Sequence, residues 1–185
     1  MRQQWFGEAR FGMFVHFGLY SGAARHEWVQ NYEFLTDEDY LPYFENFDPD
    51  LFDARALARR AKETGMGYVV LTTKHHDGFA LWDTAVSDFN AVAACGRDLV
   101  REYVDALRAE GLRVGLYHSL IDWHHPDFTV DWNHPRRADE DVAALNEGRD
   151  MARYREFLHA QVRELLTDYG QIDYLFFDFT YPEPM

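Results

Sequence analysis

The sequence predicts an α/β protein built on a parallel sheet, and within that class a (β/α)8 TIM barrel of which the first four β/α units are present. Three observations carry this. Apolar β-prone runs alternate with amphipathic helical runs, which implies right-handed βαβ units. Polar residues cluster at the C-terminal ends of the strand runs, at His16, at Lys74 to Asp77, at Tyr117 to Ser119 and at Asp178, where barrels of this kind build their sites. No glycine-rich turn follows an early strand, as a doubly wound dinucleotide-binding sheet would show.

Taken in order, Phe11 to Phe17 reads as a short apolar strand that stops at Gly18. A long irregular stretch follows. Asp53 is placed to cap a helix whose face carries Leu57, Ala58 and Ala61, and Gly65 ends it. Tyr68 to Thr73 is a continuous β-prone run, as expected of a strand buried on both faces. Leu99, Val100, Tyr103, Val104 and Leu107 recur at helical spacing after Asp98, with Gly111 behind them. Leu112 to Tyr117 is the third strand. Pro126 to Asp150 is charged, poor in apolar residues and long enough to form a loop over the site. Met151, Tyr154, Phe157, Leu158, Val162, Leu165 and Leu166 mark a third helix closed by Gly170, and Asp173 to Phe177 is the fourth strand.

The 185 residues, 47% of them hydrophobic, suffice for one globular domain. A net charge of -14 without a basic stripe argues against nucleic acid and anionic membranes as partners. With no apolar run of about 18 residues and no basic, apolar start, the expected location is cytoplasmic. The lone Cys95 cannot form an internal disulfide and reads as a packed small residue. The 15 Phe, 11 Tyr and 5 Trp suggest a site that uses ring faces, and sugar binding is one such use.

Three groups could do chemistry. Asp178 ends the fourth strand between Phe177 and Phe179, so its surroundings would set its role as nucleophile, acid or turn cap. His75 and His76, between Lys74 and Asp77-Gly78, could read sugar hydroxyls or be hydrogen-bonded under the loop. Zinc is the rival use, but adjacent residues on an extended chain point to opposite sides, and His118, His124 and His125 are assigned to a different loop. No metal and no cofactor are therefore expected. Glu27-Trp28 combines a carboxylate with an indole, which suits a sugar and equally an ordinary packed loop.

The runs Ala9 to Ser21, Glu27-Trp28, Tyr68 to Phe79 with Leu81-Trp82, Val114 to Ser119 and Tyr174 to Asp178 resemble the α-L-fucosidases of glycoside hydrolase family 29, in the family's order. The lysine, paired histidines, aspartate and glycine after the second strand are the most specific part. The resemblance implies a retaining mechanism with Asp178 as nucleophile. It also implies that His16, His75 and His76 hold the fucose hydroxyls, that Glu27 and Trp28 supply a polar and stacking pair, and that Tyr117 stands beside the nucleophile. Phe17 and Phe176 stand where many members have Trp, which keeps a ring and loses an N–H donor.

A complete barrel needs about 250 residues, so residues 1–185 read as the N-terminal part of a single catalytic domain, cut after its fourth strand. The general acid does not carry over by residue; Glu27, and behind it Asp122, are the candidates for a second carboxyl. The expected partner is a fucosylated glycan or glycoside. The alternatives are a carbohydrate-binding remnant that does not cleave, and a barrel hydrolase with a histidine-held metal. The first and fourth strands are apolar and have no Pro or Lys, so their open edges favour a homo-oligomer.

Overall fold

The computed structural model describes residues 4–179. Four strands, β1 (Gly12–Val15), β2 (Tyr68–Lys74), β3 (Arg113–Ser119) and β4 (Tyr174–Asp178), form one sheet in the order β1-β2-β3-β4. Every neighbouring pair is parallel. The class is α/β with a parallel sheet.

Nine helices occur among the described residues: α1 (Gln4–Ala9), α2 (Tyr20–Ala23), α3 (Val29–Tyr32), α4 (Asp37–Glu45), α5 (Ala54–Glu63), α6 (Ala91–Cys95), α7 (Leu99–Ala109), α8 (Val142–Asn146) and α9 (Met151–Thr167). The three long amphipathic runs become α5, α7 and α9. Each starts on an aspartate whose carboxylate accepts a first-turn amide: Asp53 from Ala56, Asp98 from Arg101 and Asp150 from Ala152, all at 2.8 Å. Gly111, just beyond α7, takes a φ of +68°, a conformation that costs other residues about 1 kcal/mol or more.

Two stretches read as irregular contain structure. Residues 19–52 hold α2, α3 and α4, and the loop 126–150 holds a 3-10 turn at Pro135–Ala138 together with α8. Helices of four or five residues span little more than one turn, too few for an apolar period to register. The longer α4 is missed for a different reason: its apolar face is weak, and its start lies in the Thr36–Asp39 capping box rather than in periodicity.

The two central strands are buried almost along their whole length, from Val69 to Lys74 and from Val114 to Ser119. Gly115 lets them close: a Cβ there would meet Val70 Cγ2 at 2.7 Å. The hydroxyl of Tyr103 on α7 lies between the carbonyls of Val69 (2.7 Å) and Gly115 (3.0 Å), clamping β2 to β3. Burial in β3 runs on through His118 and Ser119. His118 therefore sits inside a strand rather than in a loop, fully buried, with Nδ1 3.1 Å from Thr73 Oγ1. No helix among the described residues is long and apolar enough to cross a membrane.

Candidate active site

The site forms where β2, β3 and β4 end together. β2 ends in Lys74, whose ammonium is fully buried and pairs with Asp122 Oδ2 at 2.8 Å. The rings of Tyr154 and Phe157 lie 5.7 and 5.3 Å from the same nitrogen. Asp122 Oδ1 accepts from the amides of His124 and His125, so the carboxylate holds the loop after β3 against the end of β2. This corrects its candidacy as a second catalytic carboxyl: it is 2% exposed, and both oxygens are occupied by structural partners. Gly78 makes the approach possible, since a Cβ there would come within 2.4 Å of Asp122 Oδ1. Tyr40 on α4 donates to Asp77 Oδ2 at 2.9 Å and fixes the turn from the other side. Burial pushes the Asp77 carboxyl up to about 6, with the Tyr40 bond opposing the rise.

On this support stand His75 and His76. The expectation that they point to opposite sides does not hold, because their ring centroids are 4.1 Å apart. Alternation belongs to extended strands, and the chain has already left the strand: the register slips between Thr72 and Lys74, and Gly78 N–H donates back to His75 O. His75 stacks on Tyr117 (5.6 Å, 10°) and meets His16 (5.6 Å) and Tyr20 (5.3 Å) at their edges. His76 Nδ1 lies 2.7 Å from Ser119 Oγ. Burial holds both imidazoles neutral: His75 falls well below its ordinary value, and His76 is lowered to about 4, with Asp178 partly offsetting the fall. His75 Nδ1 and His76 Nε2 are buried without a hydrogen-bond partner, and such atoms call for one from a ligand or water.

Asp178 completes the group. Its Oδ2 accepts from Tyr117 O–H at 2.7 Å, and its Oδ1 accepts from Phe179 N–H at 2.9 Å. Phe179 itself takes a positive φ of 68°, turning the chain sharply after the strand. His76 Nε2 lies 3.8 Å from Oδ2, which is no ion pair while the imidazole is neutral. Tyr117, register partner of Phe176, stays protonated because burial first, and then Asp178, raise its pKa beyond the ordinary phenol range. The carboxylate is thus gripped on one side and open on the other, its side chain 36% exposed.

Trp28, in the turn before α3, packs edge-on against His76 (4.9 Å) and Trp123 (5.5 Å) and lies 5.6 Å from Phe179. His16 is exposed and touches Phe14, His75 and Tyr117. Six of the seven residues singled out in the sequence are therefore joined by ring contacts or hydrogen bonds. Glu27 is the exception: half-buried in the same turn, it is linked to the group only through its charge, felt by Tyr20. Trp123 and Ser119 belong to the site without having been assigned a role; the signals were the strand-end cluster Tyr117 to Ser119 and the juxtaposition of Trp123 with Asp122. Phe17 packs on Phe52 (4.9 Å) and Phe176 on Tyr117 (5.9 Å), so both keep their ring contacts. Among the described residues no group of three or more His, Cys, Asp or Glu could hold a metal ion.

The family model described as Alpha-L-fucosidase matches residues 1–185. The chain belongs to the alpha-L-fucosidase family. An alpha-L-fucosidase of Dictyostelium discoideum is 36% identical over 151 residues, and tissue alpha-L-fucosidase of Bos taurus 39% over 145. These alignments take in 69% of this chain but only 33% and 31% of the relatives, so the chain spans about a third of their length. Alpha-L-fucosidase isoenzyme 1 from Paenibacillus thiaminolyticus superposes with a TM-score of 0.92 at 53% identity, covering 98% of this chain and 43% of that one. Alpha-L-fucosidase AlfC from Lactobacillus casei, solved in complex with alpha-L-fucose product, gives 0.86 at 29% identity, covering 98% and 63%.

Proposed function

We propose that the polypeptide carrying this sequence cleaves terminal α-L-fucosyl residues with retention, and that Asp178 is its nucleophile. One observation carries the reading: a strand-end carboxylate held by Tyr117 O–H and Phe179 N–H beside two buried, unpartnered imidazole nitrogens. The fixed donors keep Asp178 in one geometry, as attack on an anomeric carbon requires. The unpartnered imidazole nitrogens suit sugar hydroxyls, which can both donate and accept, and the rings of Trp28, Phe14 and Phe176 suit the apolar face of a deoxy sugar. His16, His75, His76, Trp28 and Tyr117 are the substrate-contacting set, with Glu27 at its margin; the fucosylated glycan or glycoside is the partner.

The sheet is proposed to be the first half of a (β/α)8 barrel, with residues 1–185 inside its single catalytic domain. Strand order supports this. Four parallel strands follow one another without the reversal that a doubly wound sheet makes at its ligand site.

The test is a covalent one. Denaturing the enzyme while it turns over a slow aryl α-L-fucoside should trap a fucosyl ester, and peptide mapping should place it on Asp178. An adduct on another carboxylate overturns the assignment, and fucose binding without adduct or turnover supports a carbohydrate-binding role instead.

A further inference from the structure

Ser119 is fully buried and is the register partner of Asp178 across β3 and β4. Its hydroxyl has three neighbours: Ile121 O at 2.6 Å, Ile121 N at 3.1 Å and His76 Nδ1 at 2.7 Å. A serine hydroxyl has one proton and two lone pairs. The carbonyl can only accept, so it takes the proton. The amide can only donate, so it takes one lone pair. What remains for His76 is the second lone pair, and Nδ1 must carry a hydrogen.

In a neutral imidazole that leaves Nε2 as a bare acceptor. Nε2 is buried, has no hydrogen-bond partner and lies 3.8 Å from Asp178 Oδ2, itself already an acceptor for Tyr117. Two acceptors facing one another leave a place that only a donor can fill. The opposite tautomer would put Nε2–H against Asp178, where a hydrogen bond would tie up the carboxylate and remove the acceptor.

We propose that Ser119 is a positioning residue that fixes His76 as the Nδ1–H tautomer, so that Nε2 accepts from a substrate hydroxyl and does not donate to Asp178. The substrate part of this rests on the fucosidase reading; the tautomer does not. Ser119 touches no reacting atom and acts through His76.

The test uses the whole polypeptide as its own gene encodes it, labelled with ring-15N histidine. Long-range proton–nitrogen correlation at neutral pH should show His76 Nδ1 pyrrole-like and Nε2 pyridine-like. The reverse pattern, or an imidazolium, overturns the proposal whatever the enzyme does. In Ser119→Ala the second tautomer should appear, and the inhibition constant of free fucose should rise roughly 5- to 100-fold, the range for an unpaired buried group. Ser119→Cys, of similar shape but a poor acceptor, should show the same mixture and serves if Ser119→Ala does not fold. A single unchanged tautomer in the variant that folds overturns the role of Ser119. A wild type with the expected spectrum but no fucosidase activity would defeat the functional reading and leave the tautomer assignment standing.

Discussion

The two inner strands and the two outer strands of the sheet solve different problems. β2 and β3 are paired on both sides, and the polar groups at their ends, Lys74, His118 and Ser119, are fully buried and hydrogen-bonded to the chain itself. β1 and β4 are each paired along one edge only among the described residues, and Phe14 and Phe177 on them are 43% and 44% exposed. His16 follows β1 and Asp178 ends β4, and both share the openness of these strands. The division is one of setting: the inner strands end in a buried support, Lys74, His118 and Ser119, that carries the buried ligand groups His75, His76 and Tyr117, and the outer strands add the open ones, His16 and Asp178.

That division can be broken from either side. Asp178→Asn should lower kcat of the active polypeptide on an aryl α-L-fucoside by roughly 10³-fold or more, as loss of a nucleophile does. It should lower the urea midpoint only modestly, because the amide oxygen can still accept from Tyr117 while its NH2 faces Phe179 N–H. Retention of a third of the activity would move the nucleophile elsewhere. Lys74→Met is the converse experiment. It strands the Asp122 carboxylate in a buried place and should destabilise the fold by about 3–5 kcal/mol, the usual loss when one partner of a buried pair is removed. Equilibrium denaturation showing less than about 1 kcal/mol would mean that water reaches Asp122.

A gentler probe is pH. His76, held near 4 when folded against an ordinary 6.5, excludes a proton that the unfolded chain binds, so its contribution is present above pH 6.5 and is lost as pH falls towards 4. His75, His118, His125 and His134 are displaced in the same direction, each mainly by burial. Asp77 opposes them: its pKa is raised to about 6, so its contribution is present below about 3.8 and lost as pH rises through 6. Against the effect of burial, His124 is raised by Asp37 and sides with Asp77. Five groups against two should give a net loss of stability between pH 6.5 and 4, of order 1–3 kcal/mol. A denaturation midpoint that rises on acidification would show that Asp77 and His124 dominate.

The smallest energies concern the margins. Open edges and exposed rings favour pairing, so the purified 185-residue chain is expected to associate, and Phe14→Lys with Phe177→Lys should shift light scattering towards monomer at a stability change under about 1 kcal/mol. A chain that is monomeric without these changes would show that the edges are covered from within.

Much of this was legible in the chain of residues. Three amphipathic helices and four β-prone runs announced themselves because periodicity is local; of the caps only Asp53 was read as one, although Asp53, Asp98 and Asp150 all act on amides two or three positions away. The positions of His16, Tyr117 and Asp178 at strand ends followed from the same pattern. Where a polar side chain finds its partner was not legible. Lys74 meets Asp122 across 48 residues, His76 meets Ser119 across 43, and Tyr117 meets Asp178 across 61. Nothing local distinguishes an aspartate that will be buried under a lysine from one that will face a ligand. Only the parallel register of β2, β3 and β4 decides it, because a hydrogen bond forms over about 3 Å and cannot be inferred until the strands are side by side.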